Sequence, residues 1–135
     1  EPLQYIRKQT KIKFSIIDLT HVKNKIQQVA EENAIIQNQM NQPFKLEIDP
    51  LLRTTIIKKS KNRHALVIVF HHIITDGWSV NVFYRELAVL YNAYQKRETP
   101  KLKPLSIQYR DYAVWEQSKA NERRLKIQEK YWLKA

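Results

Sequence analysis

The sequence predicts a fold of the α/β class (α+β), in which helices pack on a mixed β-sheet. Short runs rich in β-branched residues alternate with segments whose apolar residues recur at helical spacing. The run Ala65–Phe70 is apolar on both alternating faces, which is typical of a strand that is covered on both sides. A chain of 135 residues that is 43% hydrophobic has room for one compact core and not for two full domains.

The chain opens with predicted strands and a helix. Two strands and the polar turn between them are expected at Leu3–Ile6, Ile12–Ile17 and Arg7–Lys11. From His21 to Ile36 the apolar residues follow a helical period, which predicts an amphipathic helix. Asp18 or Thr20 is expected to cap this helix, and Pro43 to close the segment.

The middle of the chain predicts a hairpin. Leu51–Lys59 and His64–His71 are strand-like runs, and the polar tetrapeptide Ser60–Arg63 between them suits a turn. We expect Ala65–Phe70 to lie in the interior of the sheet and to be rigid, because burying such side chains contributes about 1.5–3 kcal/mol each.

The last part of the chain is predicted to be helical. One face of a long helix, which we expect to pack in the core, carries Val80, Phe83, Tyr84, Leu87, Leu90, Tyr91 and Tyr94. Two prolines among lysines predict an extended connector at 96–106, since proline lacks an N–H and restricts the residue before it. Helical patterning resumes at Tyr109–Trp115 and at Asn121–Leu133.

Charge and composition narrow the classes of function. The formal net charge of +11 favours acidic partners, but the cations are spread over several segments and form no nucleic-acid-binding signature. We therefore expect no nucleic-acid partner. No apolar run approaches the roughly 20 residues that cross a bilayer, so no membrane partner is expected either. The absence of cysteine excludes thiolate chemistry and fits a reducing compartment, which favours a cytoplasmic location.

The stretch from His71 to Ser79 is the best candidate for chemistry. His71 and His72 end the predicted buried strand at the carboxyl edge of the sheet, where α/β proteins place ligand sites. Neighbours in a strand point to opposite sides, so only one imidazole can face a given cavity and a shared metal ion is not expected. Imidazole changes charge near neutral pH, which suits His72 to proton transfer. Asp76 either orients that imidazole or braces the loop in an ion pair, and we favour the brace.

Glycine usage points to the same stretch. Gly77 is the only glycine of the chain, which suggests a backbone geometry that other residues cannot adopt. With a single glycine, the sequence has no phosphate loop, dinucleotide fingerprint or Gly-x-Ser-x-Gly turn. Ser79 is expected to be a cap or first-turn residue of the following helix rather than a nucleophile.

Residues 71–79, His-His-Ile-Ile-Thr-Asp-Gly-Trp-Ser, resemble the His-His-x-x-x-Asp-Gly signature of condensation domains of nonribosomal peptide synthetases, in the chloramphenicol-acetyltransferase-like superfamily. Four further segments resemble that family in the same order. They are the segment from Phe44 to Arg53, the residues Arg85-Glu86-Leu87 and Leu90-Tyr91 of the helix after the signature, the Tyr-x-Asp-Tyr-Ala-x-Trp pattern that starts at Tyr109, and the pair Tyr131-Trp132. The family's opening motifs and its second half are absent, so we expect residues 1–135 to be a single partial domain, the later part of the first half.

The resemblance implies an acyltransferase that forms peptide bonds between a carrier-bound acyl thioester and a carrier-bound amine. It implies that His72 is the catalytic residue, as a general base or by positioning the amine, with His71 in support. It further implies that Asp76 forms a salt bridge with an arginine, that Gly77 permits a close backbone approach, and that Trp78 favours a condensation subtype.

The partners implied by the resemblance are carrier proteins and adjacent synthetase domains. No cofactor or metal is expected to bind directly, because phosphopantetheine arms of the carriers deliver the substrates. Because the channel's other wall is missing, the isolated segment is expected to be inactive. A carrier-binding module without catalysis, or a basic nucleic-acid-binding domain, remain the alternatives.

Overall fold

The computed structural model describes residues 3–7 and 10–134, and it confirms the mixed α/β fold. The described residues form two compact units, one ending at Tyr84 and one beginning at Arg85. In chain order, the elements are β1 (Lys13–Asp18), α1 (Lys25–Asn41), β2 (Leu52–Ser60), β3 (Arg63–Phe70), α2 (Gly77–Lys96), α3 (Tyr109–Glu116) and α4 (Lys119–Trp132).

The strands form a mixed sheet in the order β1-β2-β3. β1 runs parallel to β2, with α1 in the crossover between them, and β2 and β3 form the antiparallel hairpin predicted from the sequence. Ser60 pairs with Arg63, so Lys61 and Asn62 form the turn, and the register shifts between Lys58 and Ser60. The polar tetrapeptide therefore marked the turn correctly.

The predicted interior position of β3 is wrong for the described part of the chain. β2 is the central strand, and its residues Thr55 and Ile57 are 2% and 0% exposed. β3 lies at the edge of the sheet, and Leu66 on it remains 47% exposed. The apolar run identified a strand, but the presence of neighbours on both sides depends on other segments that the run itself does not encode.

The predicted first strand, Leu3–Ile6, is also wrong, because this segment pairs with no described strand. It is held by Arg7, whose guanidinium donates to the backbone oxygens of Ile48 and Glu47 at 2.9 and 2.6 Å. Of the polar turn predicted after it, Lys8 and Gln9 lie outside the described residues.

α1 begins later than predicted, because Asn24 is its N-cap. The Asn24 side chain accepts hydrogen bonds from the backbone N–H groups of Ile26 and Gln27 at 2.9 and 3.1 Å. Asp18, one of the two predicted caps, instead accepts from the backbone N–H of Thr20 at 2.8 Å. The helix ends at Asn41, before Pro43, as the sequence predicted.

The described chain buries little apolar surface. Leu19 and Ile57 are its only buried hydrophobic residues, at 4% and 0% exposure. The expectation that the apolar face of α2 packs in the core is wrong here, since that helix has no buried residue and Tyr91 is 61% exposed. Phe83 does contact Phe70, with ring centroids 5.1 Å apart.

Replacing Ile57 with alanine is expected to destabilise the chain by about 2–5 kcal/mol, because it removes the most buried apolar side chain. Ile16→Ala is the matched control: this residue lies in the same sheet but is 65% exposed, so the expected change is within about 0.5 kcal/mol. Urea unfolding of both variants measures the difference. Equal losses of stability would show that β2 does not carry the core.

The pKa of Asp18 is expected to lie at about 2, below its ordinary 3.8, because hydrogen bonds from Thr20 stabilise the carboxylate and Lys58 adds a smaller effect. The resulting stabilisation is complete above pH 3.8 and is lost as the pH falls through about 2. Carboxyl carbon NMR measures the titration. Thr20→Val should raise the midpoint, and an Asp18 that titrates near 3.8 in the unaltered chain would contradict the assignment.

Candidate active site

The candidate site is the loop that joins β3 to α2. β3 ends at Phe70, one residue earlier than predicted, and α2 begins at Gly77. The backbone N–H of Ile74 donates to the carbonyl oxygen of His71 at 3.1 Å, which closes a four-residue turn directly after the strand. Within this turn, His72 occupies the first corner position.

His71 is the fixed residue of the pair. Its backbone N–H donates to the carbonyl oxygen of Leu51 at 2.9 Å, so the pairing of the hairpin continues for one residue beyond β3. Its ring is half-buried and meets the ring of Phe44 edge-on, with centroids 5.8 Å apart and planes at 86°. Nδ1 of the ring accepts from the backbone N–H of Ile73 at 3.1 Å. A neutral His71 in this arrangement carries its proton on Nε2.

The side chain of His72 is not fixed in the way that the ring of His71 is. Its side chain is exposed, and no described residue forms a hydrogen bond or ion pair with its ring. Strand alternation predicted that the two imidazoles point to opposite sides of the sheet. In the structure, β3 ends before both histidines, and the turn that follows leaves the His71 ring against Phe44 and the His72 ring exposed. Both nitrogen atoms of His72 are therefore open to a substrate, and the ring can accept or donate a proton.

Asp76 joins the loop to α2 through a reciprocal pair of hydrogen bonds. Its Oδ1 accepts from the backbone N–H of Ser79 at 2.8 Å, and its own N–H donates to the Ser79 hydroxyl at 2.7 Å. This is the geometry of a capping box. The hydroxyl and backbone N–H of Ser79 hold the pKa of the Asp76 carboxyl below its ordinary value. Within residues 3–7 and 10–134, Asp76 has no ion pair, so its expected arginine is not found there.

The expectation of an unusual backbone at Gly77 is wrong. This glycine has no positive φ, and an added Cβ would meet no described atom within 4 Å. Gly77 is the first residue of a helix, a position that other residues adopt readily. Trp78, beside it, is 82% exposed. Ser79 lies in the first helical turn, as predicted.

Sequence reasoning gave no role at the site to Phe44, which contacts it directly, or to Arg53, which contacts Phe44. Phe44 contacts the ring of His71, and the guanidinium carbon of Arg53 lies 3.9 Å from the centroid of Phe44. The available signal was the hairpin register, in which Arg53 lies opposite Val69, two residues before His71. Phe44 precedes β2 and gives no local signal of its position.

Sequence comparison places the chain in a known family. The model of the condensation domain matches residues 1–135. A linear gramicidin synthase of Brevibacillus parabrevis is 37% identical over 132 residues, which are 98% of this chain and 2% of that protein. Bacitracin synthase 1 of Bacillus licheniformis is 49% identical over 92 residues, 68% of this chain and 2% of that protein. The chain thus spans about 2% of the length of these relatives.

Structure comparison gives the same fold. The starter condensation domain of rhizomide synthetase superposes with a TM-score of 0.76 at 23% identity, over 93% of this chain and 30% of that one. The described part of the chain has no helix long and apolar enough to span a membrane. Together, the family match and the similarity to the synthases confirm the resemblance read from the sequence, and the chain belongs to the condensation domain family.

Proposed function

We propose that the chain is part of an acyltransferase that forms peptide bonds in nonribosomal peptide synthesis. The observation that carries the proposal is the exposed imidazole of His72 at the corner of a turn whose other histidine is fixed by packing. In the reaction, the nitrogen of an acceptor amine bonds to the carbonyl carbon of a donor thioester. The carbon–sulfur bond breaks, and the proton lost by the amine ends on the departing thiol.

His72 is the proposed catalytic residue. A neutral amine needs little deprotonation before it attacks, so an imidazole that orients the amine and stabilises the developing charge contributes more than one that only removes a proton. His71 and Asp76 support it by holding the two ends of the loop. Gly77 leaves open space at the start of α2, and the exposed ring of Trp78 is accessible to a substrate or another segment.

The proposed partners are acyl or peptidyl carrier proteins and the adjacent domains of a synthetase. Their phosphopantetheine arms would bring the thioester and the amine to His72, with no cofactor held by this chain itself. The match to peptide synthases supports this assignment. We place the protein in the cytoplasm, where the absence of cysteine in this chain is compatible with a reducing environment.

We further propose that residues 1–135 form the later part of the first half of a condensation domain. The chain corresponds to 30% of the rhizomide synthetase starter domain, and its many exposed apolar side chains fit a segment that needs neighbours. The isolated segment would then lack one wall of the catalytic channel.

A carrier-binding module without catalysis is the second candidate, favoured by the net charge of +11, which attracts acidic partners. A nucleic-acid-binding role has less support, because Lys58, Lys59 and Lys126 form ion pairs within the chain. Nucleic-acid affinity that falls steeply with salt would be the mark of such a role.

Replacing His72 with alanine in the intact synthetase is expected to lower the rate of amide formation by about 100-fold or more, because removing one group that stabilises the developing charge costs roughly 10²–10³-fold. The measurement is mass spectrometry of the dipeptidyl product on the acceptor carrier. Carrier binding should be unchanged, since the ring of His72 has no partner among the described residues that the substitution would disrupt.

His64→Ala provides the matched control, because His64 is an exposed histidine at the other end of β3. It should leave the rate unchanged. Unaltered product formation by the His72 variant would favour the binding module. The isolated segment should form no product when it is given both carrier-bound substrates.

A further inference from the structure

We propose that Arg53 is a positioning residue for the reaction and acts on the histidine turn through Phe44 and His71. The inference rests on the proposed function, since it concerns how His72 is held. It starts from a line of contacts in the unit that ends at Tyr84.

The first step of the line is the fixing of Arg53. Its Nη1 donates to the side-chain oxygen of Gln42 at 3.1 Å, and its Nη2 donates to the Gln42 backbone oxygen. The two bonds hold the planar guanidinium at both ends of its fork. Its Nε is buried and finds no acceptor among the described residues.

The second step is the contact with Phe44. The guanidinium carbon lies 3.9 Å from the centroid of the Phe44 ring, well within the range of a cation–π contact. Phe44 follows Pro43 and belongs to no helix or strand. The position of the Phe44 ring therefore depends on side-chain contacts. One face of the ring is covered by Arg53, and its neighbour His71 meets it at 86°.

The third step carries the effect to His72. The same short segment of chain fixes both parts of His71: Leu51 accepts its backbone N–H at 2.9 Å, while Arg53 supports the ring that packs on its imidazole. With the imidazole held, Nδ1 can accept the N–H of Ile73 at 3.1 Å, which fixes the residue directly after His72. The turn therefore presents His72 in one direction as long as the line of contacts is intact.

Lysine at position 53 tests the proposal, because it keeps the charge but has neither the planar face nor the fork that bonds Gln42 twice. In the intact synthetase, Arg53→Lys should lower kcat for dipeptide formation about 10-fold, since small misplacements of catalytic groups have effects of this size or larger. The KM for the loaded acceptor carrier should stay unchanged. Phe44→Leu should reproduce the result, and the double variant should be no slower than either single variant.

Two controls separate positioning from folding. Phe44→Tyr keeps the aromatic face, so its rate should match that of the unaltered synthetase and not that of Phe44→Leu. Arg63→Lys, an equivalent change at an exposed arginine of β3, should have no effect. Nitrogen-15 NMR of labelled histidine gives a direct readout. The His71 ring should carry its proton on Nε2 in the unaltered protein and lose that preference in Arg53→Lys.

An unchanged kcat in both Arg53→Lys and Phe44→Leu would overturn the proposal. A fall in folded protein at constant kcat per folded molecule would also overturn it, because this would be a purely structural role. If Arg53→Lys does not fold, the comparison of Phe44→Leu with Phe44→Tyr decides alone. The proposed function fails separately, by retained activity of His72→Ala, so the two failures are distinguishable.

Discussion

The backbone hydrogen bond from His71 to Leu51 is the constraint on which the site depends. It carries the pairing of the hairpin one residue past Phe70, and the chain turns immediately afterwards. A ring at position 71 is consequently held against the fold, while the ring at position 72 stands at the corner of a turn and faces out. Asp76 and Ser79 then start α2, so the loop is fixed at both ends by short local bonds.

The sheet that supports this loop has a narrow core. Thr55 and Ile57 on the central strand are its best buried residues, and the Thr55 hydroxyl lies 2.8 Å from that of Ser15 on β1. Gln28 of α1 donates to the backbone oxygens of Leu19 and Lys59 at 2.9 and 3.0 Å, which ties the helix to the ends of two strands. Polar contacts of this kind fix geometry more than they add stability. The exposed apolar surface fits the proposal that the chain works as one part of a larger domain.

Local patterns predicted the elements well, and tertiary context explains the failures. The hairpin, the connector and α3 and α4 follow from turn residues, prolines and periodicity that lie within each segment. The cap of α1 was placed too early because Asp18 bonds Thr20, and Asn24 is the residue that reaches free N–H groups. At the site, the predicted strand alternation does not apply, because β3 ends at Phe70 and the chain turns at His71 and His72. The contact of Arg53 with Phe44 joins residues whose proximity only the folded chain defines.

The central claim is that a fold-held turn presents His72 to an acceptor amine. A structure of the intact synthetase with a stable analogue of an aminoacyl phosphopantetheine on the acceptor carrier tests it most directly. The account predicts the amine nitrogen within about 2.6–3.2 Å of a ring nitrogen of His72, with the His71 ring still packed on Phe44. An amine bound beyond the reach of His72, or a His72 ring sealed away from the channel, would contradict it.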